Sequence, residues 1–397
     1  MTQTADSPGS YVFETHTDFE RRFPNDLRVY SVTSPKDLKT FYQMAFQVYR
    51  GNPCWVPPFW QEMKGFFKKQ NLFWSHAEAA LFIAKRNDTV IGRIAAIIDH
   101  AYCKAVGEDI GYFGFFECIN DDACASALFQ VAQDWLTSKK MTVMRGPIDG
   151  RIDIGCGFLL TGFENRATVL STYSPPYYLT FAEKFGLKKA RDFFHYTIDL
   201  TRPLPKVLEE KARHCRASGI QVRSFHRLHT GRELDWWCPL FLETFAEHWG
   251  FVPVSPEEVR TRFGVRNLRW FVDSRLFVIA EGNGAPVAYL WATPEYNQVF
   301  QRLHGRLGPV EALRFLWMKP GITSGKLHFI GIQKEFRHQN IGSLLNYEVL
   351  AEMKKRGYTS AEVGWFDEQN ITAHATIALT GAIVFKKHRV FEKNLIP

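Results

Sequence analysis

Seven consecutive residues, Arg337-His338-Gln339-Asn340-Ile341-Gly342-Ser343, have the make-up of an anion-binding loop. Arg337 brings a fixed positive charge, and Gly342 lets the backbone come close to a ligand. After the loop, Leu344, Leu345, Val349, Leu350 and Met353 recur at helical spacing. Lys354, Lys355 and Arg356 fall in the last turn, where the helix dipole favours cations, and Gly357 can end it. The loop therefore opens onto a helix N-terminus, whose unpaired N–H groups attract anions. Before the loop, Lys326 to Ile332 is a short apolar run that reads as a buried strand. His328 lies in that strand, and a histidine titrates at about 6.5, which suits it to moving protons. Alternation along a strand places it on the face opposite Phe329 and Gly331. Glu295, in Thr293-Pro294-Glu295-Tyr296-Asn297 near the end of an earlier strand, is the competing carboxylate. It is expected to face an acceptor pocket and to act as a base directly or through water.

The elements that must position these groups recur along the chain. Ser34 can cap a helix over SPKDLKTFYQMAFQVYRG, with Asp37 in the capping-box position and Gly51 beyond its end. A Pro- and Trp-rich loop, NPCWVPPFW, follows. Ala80–Lys85 and Val90–Ile98 read as a strand pair, Gly111–Cys118 as another strand, and Asp121 and Asp122 open a helix reaching about Ser138. The second half repeats this grammar. LFVIAEGNGAPVAYLWA matches LFIAKRNDTVIGRIAA, and Ala84 aligns with Ala280 and Gly186 with Gly381, a shift of about 195 residues. A break at TRPLP separates the halves. The expected division is a flexible arm over 1–28, a first domain over 29–202 and a second over 203–397.

At 397 residues, 46% hydrophobic and 23% charged, the chain has room for two ordinary globular domains. The net charge of +8 suits an anionic partner, whether a coenzyme A, an acyl carrier protein, a membrane surface or an RNA. No DNA partner is expected. Seven scattered cysteines without CxxC spacing point to a reducing cytosol, with neither a disulfide framework nor a metal site. The start is polar, and no apolar run approaches the roughly 18 residues of a membrane helix, so a cytoplasmic protein, peripheral to the membrane at most, is expected.

The loop resembles the pyrophosphate loop of the GCN5-related N-acetyltransferases (GNAT), written Q/R-x-x-G-x-G/A, with Asn340 where the first glycine is usual. Asparagine tolerates a left-handed backbone better than other non-glycine residues. Together with NPCWVPP, GFFEC, SPPYY and HWGFVP, the tandem layout is similar to bacterial double-domain GNAT proteins, some of which are ceramide synthases. The resemblance implies an α/β fold of the α+β type: two tandem domains, each a mixed, mostly antiparallel twisted sheet flanked by helices. It implies acyl-CoA as co-substrate and transfer of its acyl group to a small-molecule or lipid amine. The arm of the coenzyme would pair with the backbone of Phe329, Ile330 and Ile332, and Arg337 through Ser343 would hold its pyrophosphate. His328 would take the amine's proton. Asn370 opens the family's N-x-x-A pattern and would contact pantetheine. Ile377 stands where the family often has a general-acid tyrosine.

The first half lacks such a loop. Asp121 and Asp122 satisfy its helix dipole internally, so this half is expected to shape a pocket, with Tyr173, Tyr177, Tyr178, Trp55 and Trp249 as its lining. Two other readings remain open at this point: an aminoacyl-tRNA-dependent transferase, and a non-catalytic module that binds acyl-CoA.

Overall fold

Near-continuous apolar runs, covered on both faces, form long strands in both halves, and the computed structural model describes residues 10–15, 18–263 and 272–396. In the first half the strands are β1 (Glu20–Phe23), β2 (Leu27–Ser31), β3 (Ala77–Arg86), β4 (Thr89–Asp99), β5 (Ile110–Cys118), β6 (Val143–Gly146), β7 (Phe158–Thr161) and β8 (Lys188–Asp199). The second half has β9 (Gln221–Ser224), β10 (Phe277–Gly282), β11 (Ala285–Pro294), β12 (Ser324–Ile332), β13 (Ser360–Asp367) and β14 (Ile383–Asn394). Most pairings are antiparallel; among the described residues the parallel ones are β5 with β6 and β12 with β13. The antiparallel run β3-β4-β5 is matched by β10-β11-β12, as the repeat requires.

The halves exchange their last strands. β8 pairs with β13 of the second half, and β14 reaches back to β6 of the first. β8 and β14 also pair with each other, so the sheet runs unbroken as β1-β2-β3-β4-β5-β6-β14-β8-β13-β12-β11-β10-β9. The division at 202 and 203 thus separates the halves in sequence, but each completes its sheet with a strand of the other.

Helices cover both faces. In the first half the Asp122–Ser138 helix lays Leu128, Phe129 and Leu136 on one face, and the Pro35–Val48 helix lays Leu38 and Phe41 on the other. Ser34 caps the latter by accepting from the Asp37 N–H, as expected. In the second half the helices Ile341–Lys355 and Lys206–Ala217 share one core, and Trp237 and Phe241 of the Thr230–Phe245 helix fill the other.

The expected flexible arm over 1–28 needs correction. Residues 1–9 and 16–17 lie outside the described residues. Tyr11 and Phe13, however, are fully buried, Tyr11 bridges to Lys68, and β1 pairs with β2. Burying two aromatics offsets the entropy of holding the segment.

Candidate active site

The strands β12 and β13 run side by side only from Ser324 opposite Ser360 to Leu327 opposite Val363. Beyond that they part. β12 keeps its other neighbour, with Phe329 opposite Trp291 and Ile332 opposite Ala288, while β13 continues against β8. The edge of β12 from His328 to Ile332 is therefore unpaired on one side, and a cleft of about 1020 Å³ opens there. At its base, a Cβ on Gly331 would come within 2.4 Å of Thr244 Oγ1, so glycine lets the Thr230–Phe245 helix close on the strand.

At the end of this edge lies the loop from Arg337 to Ser343, expected from the sequence to bind an anion. Asn340 takes the left-handed conformation (φ 61°), as its residue type allows, and so does His338 (φ 69°). The Asn340 side chain does not cap the Ile341–Lys355 helix; its Oδ1 accepts from Lys211 Nζ at 3.2 Å. The first N–H groups of that helix thus remain available at the cleft. A Cβ on Gly342 would meet Thr376 Cγ2 at 3.3 Å, so a side chain here would crowd this wall. Arg337 is partly exposed, with Glu247 at 3.6 Å. Phe329, Ile330, Ile332, Arg337, His338, Asn340, Ile341, Gly342, Ser343 and Asn370 all line the cleft. Gln339 does not: its Nε2 donates to the Glu335 carbonyl. Asn370 Oδ1 accepts from the Ala373 N–H, capping the last helix while lining the cleft, and Ile377 stands on the same wall.

His328 lines the cleft, but its direction differs from the expectation. Leu327 and Phe329 face adjacent residues Ala292 and Trp291, which leaves His328 as the extra residue of a β-bulge. Its ring lies 5.6 Å from that of Trp291, and Phe329 lies 5.8 Å from the same ring, so both side chains share one face. Simple alternation misses this because one inserted residue reverses it. His328 Nε2 is 2.8 Å from Thr293 Oγ1, and Nδ1 has no partner among the described residues. Burial, reinforced by the Lys326 ammonium, pushes its pKa down to about 3, so the ring is neutral. With Nε2–H donating to Thr293, Nδ1 carries a free lone pair.

Glu295 lies elsewhere. It is 2% exposed, does not line the cleft, and its carboxylate accepts from the N–H groups of Val169 and Asn297. Burial, aided by the Glu362 charge, raises its pKa to about 7. Asp367 lines the cleft, whereas Glu368 binds Lys189 and the Asp192 N–H.

Behind the cleft the halves are pinned by a buried ionic knot. Glu362 receives Lys326 at 2.7 Å, Thr168 at 2.6 Å, His195 at 3.1 Å and Lys386 at 3.5 Å. Burial opposes ionisation of Glu362, but the Lys326 and Lys386 ammonium groups outweigh it and hold its carboxyl well below the usual range. Burial pushes His195 down to about 4.

The first half reaches the cleft through Arg151, Ile152, Asp153, Leu170 and Arg191. Two ion pairs, Arg151 to Glu258 and Arg262 to Asp153, tie it to the Pro256–Phe263 helix that roofs the cleft. Sequence reasoning missed these residues because no local pattern joins them. It did single out HWGFVP, and His248 and Trp249 of that run line the cleft. The other expected lining residues go elsewhere. Trp55 stacks on Tyr49 at 4.7 Å, Tyr177 donates to the Cys118 carbonyl, and Tyr173 and Tyr178 line a cavity of about 60 Å³ inside the first half.

A parallel strand pair that splays into a cleft, then a loop and an uncapped helix N-terminus, is matched in sequence by the acetyltransferase (GNAT) family, whose profile covers residues 235–380. Residues 235–380 thus match the GNAT family. Over 378 residues the chain is 28% identical to a bacterial ceramide synthase of Caulobacter vibrioides (strain NA1000 / CB15N), covering 93% of this chain and 98% of that one. It is 27% identical to protein YghO of Escherichia coli (strain K12), covering 90% and 93%. A solved tandem GNAT protein from the clavulanic acid biosynthesis pathway superposes with a TM-score of 0.55 at 13% identity, over 94% of this chain and 99% of that one, and shares the fold. The region that matches the GNAT model therefore sits within a tandem fold. Among the described residues no cluster of three or more His, Cys, Asp or Glu is placed to hold a metal, and no helix is long and apolar enough to cross a membrane.

Proposed function

We propose that this protein is an N-acyltransferase that moves an acyl group from acyl-CoA to a primary amine, with long-chain amines as the acceptor class. The observation that carries this reading is the unpaired edge of β12, which runs from His328 directly into an uncapped helix N-terminus. A pantetheine arm has amide groups that can pair with such an edge, and a pyrophosphate matches the helix N–H groups beside Arg337. Phe329, Ile330 and Ile332 would hold the arm, and Arg337 to Ser343 the pyrophosphate. The name of the Caulobacter relative and the apolar lining by Phe241, Phe245, Phe251, Val252 and Phe329 favour long chains.

Bound acyl-CoA supplies an activated thioester carbonyl. Neutral His328 accepts the proton that the amine sheds as its nitrogen bonds to that carbonyl and the carbon–sulfur bond breaks. Ile377 has no proton to give, so the departing thiolate is protonated by water or leaves as the anion. Glu295 supports the site by holding the Val169 backbone next to Leu170 of the cleft.

Titration calorimetry with CoA, acetyl-CoA and palmitoyl-CoA tests the reading. Arg337-dependent binding that is tightest for palmitoyl-CoA is expected. Absence of binding by all three would remove acyl-CoA as donor and favour a carrier protein or an aminoacyl-tRNA.

A further inference from the structure

Between β11 and β12 the chain forms a ten-residue helix, Pro309–Met318, that contains no buried residue. Its inner side is seated by Phe315 and Met318 on a small core of Tyr296, Val299 and Ile322. Its outer side is apolar. Val310 is 58% exposed, Leu313 69%, Leu316 59% and Trp317 83%. At 100° per residue, Val310, Leu313 and Trp317 fall within about 60° of arc, with Leu316 beside them. Such a cluster is costly in water, and among the described residues none covers it.

Charge surrounds this arc. Arg302, Arg306 and Arg314 are exposed and form no ion pair among the described residues, and Lys319 lies over the rings of Tyr296 and Phe315. The acid of this segment, Glu311, is engaged in capping the helix through the Gly308 N–H. The neighbouring Trp60–Phe66 helix, tied to this segment by Gln61 Nε2 donating to the Leu307 carbonyl, adds one charge of each sign, Glu62 and Lys64. An exposed tryptophan and leucines within a cationic rim are what a helix lying in the headgroup layer of an anionic bilayer presents. The patch also adjoins the cleft, since Val169 packs on the same small core and the next residue, Leu170, is 40% exposed and lines the cleft.

We propose that the Pro309–Met318 helix docks this protein onto an anionic bilayer surface, with Leu313, Leu316 and Trp317 in the acyl boundary and Arg302, Arg306 and Arg314 on lipid phosphates. The proposal stands independently of the acyl-transfer reading, because it concerns lipid binding without turnover. Cosedimentation of the full chain with phosphatidylglycerol–phosphatidylcholine vesicles tests it, against pure phosphatidylcholine. Binding to the anionic vesicles is expected. It should fall about fivefold for each of Arg302→Gln, Arg306→Gln and Arg314→Gln, and at least about tenfold in Leu313→Gln/Trp317→Gln. These side chains are exposed, so the melting temperature should not change and serves as the control for folding. Equal vesicle binding by wild type and the double variant would overturn the proposal. So would a wild-type dimer that the double variant abolishes without any vesicle binding, since the face would then belong to a second copy.

Discussion

The molecule contains the same notch twice, and one of the two is filled. In the first half β5 and β6 pair in parallel from Ile110 opposite Val143 to Tyr112 opposite Arg145, then part. The segment after β6 enters the gap: the Ile148 N–H donates to the Phe113 carbonyl, Asp149 accepts from the Phe115 N–H, and about 60 Å³ remains. In the second half the same divergence leaves about 1020 Å³. The helix starts differ in the same direction. Asp121 caps its helix through the Cys124 N–H and pairs with Arg86, whereas Asn340 leaves its helix N–H groups free. A third contrast concerns the strand. The glycines packed under the following helix are Gly111 beneath Leu136 and Gly325 beneath Met353, and three residues on stand Gly114 and His328 respectively. A Cβ at Gly114 would lie 2.2 Å from the Ile148 carbonyl, so that glycine serves the filling. The scaffold makes the notch; a few residues decide whether it stays open or takes in its own chain.

The largest effect should come from the knot that joins the two notches. Glu362→Leu leaves Lys326 and Lys386 buried without their carboxylate, and a loss of about 3–5 kcal/mol is expected in denaturant unfolding. Unchanged stability would mean that the lysines simply lose their protons. Next is the open helix end. Gly342→Asp puts a side chain against Thr376 and a negative charge where phosphate would bind; calorimetry should show CoA affinity reduced by roughly two orders of magnitude, with Arg337→Ala about tenfold. Wild-type affinity in both variants would make the open end irrelevant to binding.

His328→Ala should lower kcat by about a hundredfold while leaving the CoA dissociation constant intact. Its folded pKa of about 3 lies below the unfolded value of about 6.5. Its contribution to stability is therefore present above pH of about 6.5 and is lost as pH falls toward about 3. The acidic limb of kcat should likewise lie below the ordinary histidine range, and a limb at about 6.5 would exclude His328 as the titrating base. The smallest effect belongs to the filled notch: Asp121→Ala should cost about 1 kcal/mol of stability as a lost cap and leave CoA binding untouched. A change in CoA affinity there would show that the first half also takes part.

Much of this was legible in the chain because it is encoded locally. The apolar strand run in 326–332, the helical spacing after residue 341 and the left-handed tolerance of Asn340 depend on near neighbours, and the structure shows all of them. The face of His328 was not legible, because it depends on a bulge set by pairing with β11. Nor was the burial of Glu295, whose partner Val169 comes from the other half. The short arm misled for a similar reason: Tyr11 and Phe13 become core only when residues near Lys68 come to meet them.

The sequence by itself determined the repeated strand pattern of the two halves and the loop-to-helix run after Arg337, since each is a matter of residue type and spacing. The tertiary structure alone decided that β8 and β14 change places, that Arg151 and Arg191 enter the second half's cleft, and that the first notch is closed. Those outcomes rest on contacts between residues far apart in the chain, and such contacts leave no periodic mark in the sequence.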